Sequence, residues 1–134
     1  MQRLVEENTR LKGNMVGMLY RQIDRKAEEM EGKGDILLFI PGADSVAAQK
    51  LTAKVMETSK GAVFSFAGSD EEGYKYAAGL AGGDLRGIVR EMNEALEGRG
   101  GGKPFFQQGN VRATRQKIED FFGEKYSPVL ISEI

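Results

Sequence analysis

Residues 36–44 read Ile36-Leu37-Leu38-Phe39-Ile40-Pro41-Gly42-Ala43-Asp44. An unbroken apolar run cannot alternate between core and solvent. It predicts a strand buried on both faces, at the centre of a sheet. Pro41 and Gly42 turn the chain. Asp44 or Ser45 is placed to cap a helix over about 45–59, whose apolar positions include Val46, Leu51, Val55 and Met56.

Outward from that strand the pattern continues. Gly61 follows the helix, and 62–67 (AVFSFA) predicts a second strand. Ser69 to Gly73 is a polar turn, and Tyr74 to Leu80 returns as a third strand, forming a hairpin. Asp84 is placed to cap a helix over about 85–97, with Leu85, Ile88, Val89, Met92 and Leu96 on one face. Phe105 to Val111 reads as a short strand or extended segment. Residues 112–123 predict a helix with Ile118, Phe121 and Phe122 inward. Val129 to Ile131 either adds an edge strand or docks on the body. Upstream, 2–31 predicts one amphipathic helix with Leu4, Leu11, Met15, Met18 or Leu19, Ile23, Ala27 and Met30 at helical spacing. The fold class is therefore α+β or α/β: a mixed sheet covered by helices and preceded by a long amphipathic N-terminal helix. The organisation expected is a linker or oligomerisation helix over 1–32 and a globular domain over 33–134.

Composition narrows the chemistry. The chain has 134 residues, enough for one domain with a real core. It carries 19 basic and 20 acidic residues, a net charge of −1, so any nucleic-acid site must be a local patch. There is no Cys and no His. That removes thiolate and imidazole metal sites, Ser-His triads and His general bases. No metal and no cofactor is expected, and no catalysis by this chain alone, with carboxylate-only and Lys chemistries the alternatives that composition leaves open. No apolar run approaches the ~20 residues needed to span a bilayer, so no membrane partner is expected and the expected setting is cytoplasmic.

The local patch lies at Glu97-Gly98-Arg99-Gly100-Gly101-Gly102-Lys103-Pro104-Phe105-Phe106-Gln107-Gln108-Gly109. Gly98 reads as a helix C-cap. Gly100, Gly101 and Gly102 exceed that need. Either they form a disordered loop, or they take positive φ and turn their N–H groups into an anion-binding nest. Arg99 and Lys103 flank them, and Arg112, Arg115 and Lys117 follow with no acidic residue between Arg99 and Lys117. Gln107 and Gln108 point to opposite faces if extended, so one of them faces such a site. Phe105 or Phe106 either stacks on a base or fills the core. Leu4, Asn8, Leu11, Met15 and Met18, with Leu19, fit a heptad seam in which Asn8 would set register. That stripe either self-associates or packs on its own domain. The scattered Asp35, Asp44, Asp70 and Asp84 read as caps and turn formers rather than metal ligands.

The pattern G-R-G-G-G-K-P-x-x-x-Q-G (98–109), after D-L-x-x-I-V-x-x-M (84–92), resembles the DHH-associated domain at the C-terminus of alanyl-tRNA synthetases and alanyl-tRNA editing proteins. The likeness includes 36–44 and runs from about Asp35 to Phe122, roughly two-thirds of the chain. Glu7-Asn8-Thr9-Arg10-Leu11-Lys12 resembles the E-N-x-x-L-K linker helix of that family. In the related DHH phosphoesterases a His follows the glycines; here Lys103-Pro104 follows, which favours the alanyl-tRNA branch. The resemblance implies a non-catalytic accessory domain that binds tRNA of the alanine type and aids homodimerisation. It implies a fragment of an alanine–tRNA ligase or editing hydrolase, working with the parent's remaining domains. The family's editing zinc is held by His and Cys, so no editing residue carries over. The Phe105-Phe106 pair departs from the smaller or acidic residues of many relatives. Two alternatives stand beside this reading: mainly an oligomerisation domain, or the nucleotide- or phosphate-binding half of a DHH-family phosphoesterase.

Overall fold

The computed structural model describes residues 19–126 and 129–134. The apolar run forms β1 (Ile36–Pro41), buried from Ile36 to Ile40. Helix α1, helical over 19–29, precedes it. Then follow α2 (Ser45–Met56), β2 (Val63–Ser69), β3 (Gly73–Gly79), α3 (Arg86–Ala95), β4 (Arg99–Lys103), β5 (Phe106–Val111), α4 (Arg115–Lys125) and β6 (Leu130–Glu133). The six strands form one mixed sheet in the order β4-β5-β3-β2-β1-β6. β1 runs parallel to both β2 and β6, while β2–β3, β3–β5 and β4–β5 are antiparallel.

The strand at 36–41 lies next to the edge strand β6 rather than at the centre of the sheet, and it is apolar because both its faces are covered. Leu37 and Phe39 join a core with Leu85, Val89 and Met92 of α3 and Ile118 and Phe122 of α4. Ile36, Leu38 and Ile40 join a second core with Ala48, Leu51 and Val55 of α2 and Ile23, Ala27 and Met30 of the first helical segment. The described part of the N-terminal stripe therefore packs on its own chain. Leu19 is half-buried against that second core. Leu4, Asn8, Leu11, Met15 and Met18 lie outside the described residues.

Several boundaries shift from the sequence expectation. Asp44, not Ser45, caps α2, its carboxylate accepting the Ala47 N–H at 3.1 Å. Asp84 lies one residue outside the N-cap position of α3, which is Leu85. Its carboxylate instead accepts the Arg86 N–H at 3.0 Å and pairs with the Arg86 guanidinium at 2.8 Å. That pairing holds the Asp84 carboxyl down to about 2. Helix α4 starts at Arg115 rather than 112 because Thr114 caps it, accepting the Lys117 N–H at 3.3 Å. The tail forms an edge strand that begins at Leu130: Leu130 pairs with Ile36 and Ile131 with Leu37.

Candidate nucleic-acid interface

The glycine run is neither a nest nor an irregular loop. It is β4, an edge strand, with Gly100 opposite Gly109, Gly101 opposite Gln108 and Gly102 opposite Gln107. All five of its residues are exposed. A nest needs successive residues of appropriate local turn; here only Gly102 has positive φ, at 143°. The extended backbone points its N–H groups alternately to the β5 ladder and to the open edge, so they do not converge on one point.

The need for glycine comes from a neighbour distant in sequence. Tyr76, Gly109 and Gly100 form one row across β3, β5 and β4. The Tyr76 ring reaches along that row. A Cβ on Gly100 would collide with the Tyr76 hydroxyl; a Cβ on Gly109 would collide first with Arg99 O and would lie 2.8 Å from that hydroxyl. The hydroxyl donates to Asn93 Oδ1 of α3 at 3.1 Å, tying helix to sheet. Burial pushes the Tyr76 phenol pKa up. Gly101 is different: no heavy atom lies within 4 Å of where its Cβ would be.

Gly98 is not the left-handed cap of α3. That conformation falls on Glu97, with φ 52°. Gly98 follows it, donating its N–H to Asn93 O at 2.8 Å, the bond that closes a Schellman turn. Its own lack of a side chain is required because a Cβ would sit 2.6 Å from Asn110 O.

The proposed site residues do not form one cluster. Arg99 and Lys103 stand at opposite ends of β4. Gln107 is buried, and its amide donates to Lys103 O at 2.7 Å, bracing the β4–β5 hairpin. Gln108 is exposed on the other face. Phe105 is exposed at the hairpin tip with the Lys103 ammonium 5.7 Å from its ring centre, while Phe106 is half-buried against the α2-side core.

Arg115 is engaged elsewhere. It pairs with Glu133 at 2.9 Å and Glu119 at 3.6 Å, and its guanidinium lies 4.3 Å from the Phe39 ring centre. Its backbone N–H donates to Asp70 Oδ1 at 2.8 Å. The same oxygen accepts the Tyr74 hydroxyl at 2.8 Å. The Arg115 amide and Tyr74 bonds lower the Asp70 pKa, while burial and Asp70 push Tyr74 up to about 12. Arg112 and Lys117 line a hollow with Asp70, Glu71 and Glu72. The acid-free window of the sequence thus acquires acids from outside it once folded.

Beside β4, a groove of about 380 Å³ opens against α3, lined by Arg86, Arg90, Asn93 and Glu94 and by the glycines. Arg86 and Arg90 were missed from sequence; their one-turn spacing on the outward side of α3 was the available signal. Lys75 was also missed. It is the exposed charged residue in the alternation Tyr74-Lys75-Tyr76 of β3. Among the described residues no group of three or more acidic side chains is placed to hold a metal. No described helix is long and apolar enough to cross a membrane.

A mixed sheet with helices on both faces, edged by the strand Arg99–Lys103, is consistent with a DHH-associated domain. The particular likeness is to alanine–tRNA ligases. The chain is 33% identical over 113 residues to that of Methanosarcina acetivorans, covering 79% of this chain and 12% of the ligase. It is 32% identical over 123 residues to that of Methanosarcina barkeri, covering 87% of this chain and 13% of the ligase. The chain therefore spans only 12–13% of the length of these curated relatives. No protein-family model matches it. Among solved structures, the C-Ala domain of Aquifex aeolicus alanyl-tRNA synthetase superposes with a TM-score of 0.57 at 19% identity, covering 71% of this chain and 92% of that one. RecJ of Thermus thermophilus superposes with a TM-score of 0.56 at 17% identity, covering 99% of this chain and 22% of that one. These two likenesses concern the fold.

Proposed function

We propose that this chain is a non-catalytic accessory domain of an alanyl-tRNA synthetase or an alanyl-tRNA editing protein, and that it binds tRNA through the β4–β5 hairpin. The observation that carries the reading is β4 itself: an exposed edge strand of glycines between two cations, Arg99 and Lys103, in a chain similar to alanine–tRNA ligases. Polyanion binding by such a surface is backbone-directed and weakens steeply with salt. A cytoplasmic location follows from the same reading. The test is a titration of labelled alanine tRNA at two salt concentrations, repeated with Arg99→Glu combined with Lys103→Glu. Saturable, salt-sensitive binding that the double reversal weakens supports the reading. Undiminished affinity in the double variant removes the hairpin from it.

Self-association is compatible with tRNA binding, since a dimer would present two hairpins. From Leu19 onward the described stripe is occupied internally, so a dimer seam would draw on Leu4, Asn8, Leu11, Met15 and Met18. Sedimentation of the chain against one truncated before Leu19 tests it. The phosphoesterase alternative is disfavoured by the roles of the acids. Asp35 accepts the Ala62 N–H at 2.9 Å, and Asp44, Asp70 and Asp84 are bound as described above.

A further inference from the structure

We infer that RNA lies on the open face of the sheet opposite α3, with Lys75 of β3 as a phosphate contact equal in standing to Arg99 and Lys103; this rests on the tRNA-binding reading above. Strand register defines the face. Lys75 is paired with Asn110, which is paired with Arg99, and Gly101 is paired with Gln108. Side chains alternate along strands. Lys75 of β3, Gln108 and Asn110 of β5, and Arg99, Gly101 and Lys103 of β4 therefore share one side, the side on which Phe106 meets the α2 core. All six of these residues are exposed. Helix α2 packs on β2 and β3, and α3 meets β4 and β5 from the opposite face.

Charge decides between this face and the α3 groove. The strand positions of the open face hold three cations, two amides and no carboxylate. Among the described residues none of the three cations is in an ion pair. In the groove, Arg86 is held by Asp84 from outside it and Glu94 lines the wall with Arg90, so each of the two cations has a carboxylate near it. The open face spans ~13 Å along β4 and ~10 Å across to β3 at ordinary strand dimensions. That area takes a short stretch of sugar–phosphate backbone. Gly101 lies in the middle with no atom near its missing side chain, so a ribose or phosphate can approach the strand closely. Gln108 and Asn110 supply uncharged donors and acceptors between the cations. At the tip, exposed Phe105 offers a ring to an unstacked base.

The experiment measures alanine-tRNA affinity of the unaltered chain, Lys75→Glu, Lys75→Gln and Arg90→Glu across a salt series, with thermal unfolding to show that each variant is folded. Lys75→Glu is expected to weaken binding about ten-fold at low salt, and Lys75→Gln to lower the salt slope by about one. Arg90→Glu is expected to change affinity less than two-fold. A loss with Arg90→Glu and none with Lys75→Glu puts RNA in the α3 groove and overturns the inference. Neutral results for both, with the unaltered chain still binding, overturn it equally while leaving tRNA binding intact. If the unaltered chain does not bind, both readings fall. Polyglutamate displacing tRNA from the unaltered chain at equal charge concentration would assign the face to an acidic protein segment instead.

Discussion

The Tyr76 hydroxyl occupies the space that a side chain at residue 100 would need. A glycine-rich edge strand is intrinsically weak, because glycine loses the most entropy on ordering and brings nothing to pack. Here an aromatic side chain on β3 lies across the two glycines of the next strands and replaces what they lack. Gly100→Ala is expected to cost about 1–3 kcal/mol, the range of overpacking, and Gly101→Ala to fall within about 0.5 kcal/mol of the unaltered chain. Urea unfolding of the two variants side by side tests the assignment. Equal losses would mean that the glycines serve the strand in some other way.

Glu97 is a side-chain-bearing residue in the left-handed region at the end of α3. Such a conformation costs a residue with a Cβ roughly 1–2 kcal/mol, and glycine relieves it while losing more chain entropy on folding. Glu97→Gly is expected to raise stability by about 0.5–1 kcal/mol, seen as a higher denaturant midpoint at unchanged slope.

Asp70 links the β2–β3 turn to the start of α4 through the Tyr74 hydroxyl and the Arg115 amide. Its folded pKa is lowered, so the unfolded chain binds its proton more readily. The stabilisation is present above the ordinary carboxylate pKa of ~3.9 and disappears as pH falls through the depressed folded value. Tyr74 acts at the other end. Its pKa is raised to about 12, so its contribution is complete below the ordinary phenol value of ~10 and is lost as pH rises toward its folded value. Asp70→Asn should therefore be less stable than the unaltered chain at neutral pH, with the two curves converging in acid. Parallel curves down to pH ~2 would deny Asp70 this role.

Arg115 stacks on Phe39 and joins α4 to β6 through Glu133. A flat guanidinium can do both at once, and an ammonium cannot. Arg115→Lys is expected to lower stability by about 0.5–1 kcal/mol and to leave tRNA affinity unchanged. An affinity loss in a variant of full thermal stability would return Arg115 to the binding surface.

The parts of the fold that were legible have a hydrophobic period or an unbroken apolar run. β1, the β2–β3 hairpin and the inward face of α3 all qualify. β4 has neither. Arg-Gly-Gly-Gly-Lys offers no period and the poorest strand former, and the strand exists because Tyr76 and β5 lie beside it. The cap of α3 was misplaced because Asp84 also has an arginine partner two residues on. The candidate site was half legible. Arg99 and Lys103 flank a conspicuous run, but a window free of acids along the chain says nothing about Glu133 or Asp70, which folding brings to Arg115. Lys75 is joined to the others only by strand register across two neighbours.

Strand β1, next to the sheet edge, is completed on one side by β2 and on the other by β6, where Ile36 meets Leu130. During translation β1 emerges early and must wait for nearly all the rest of the domain before its second neighbour exists. A nascent chain halted after α4 would present the row Ile36 to Ile40 with one edge unsatisfied, an invitation to pair with another chain. Deleting 130–134 should therefore harm solubility during expression more than it harms the helical content of the product.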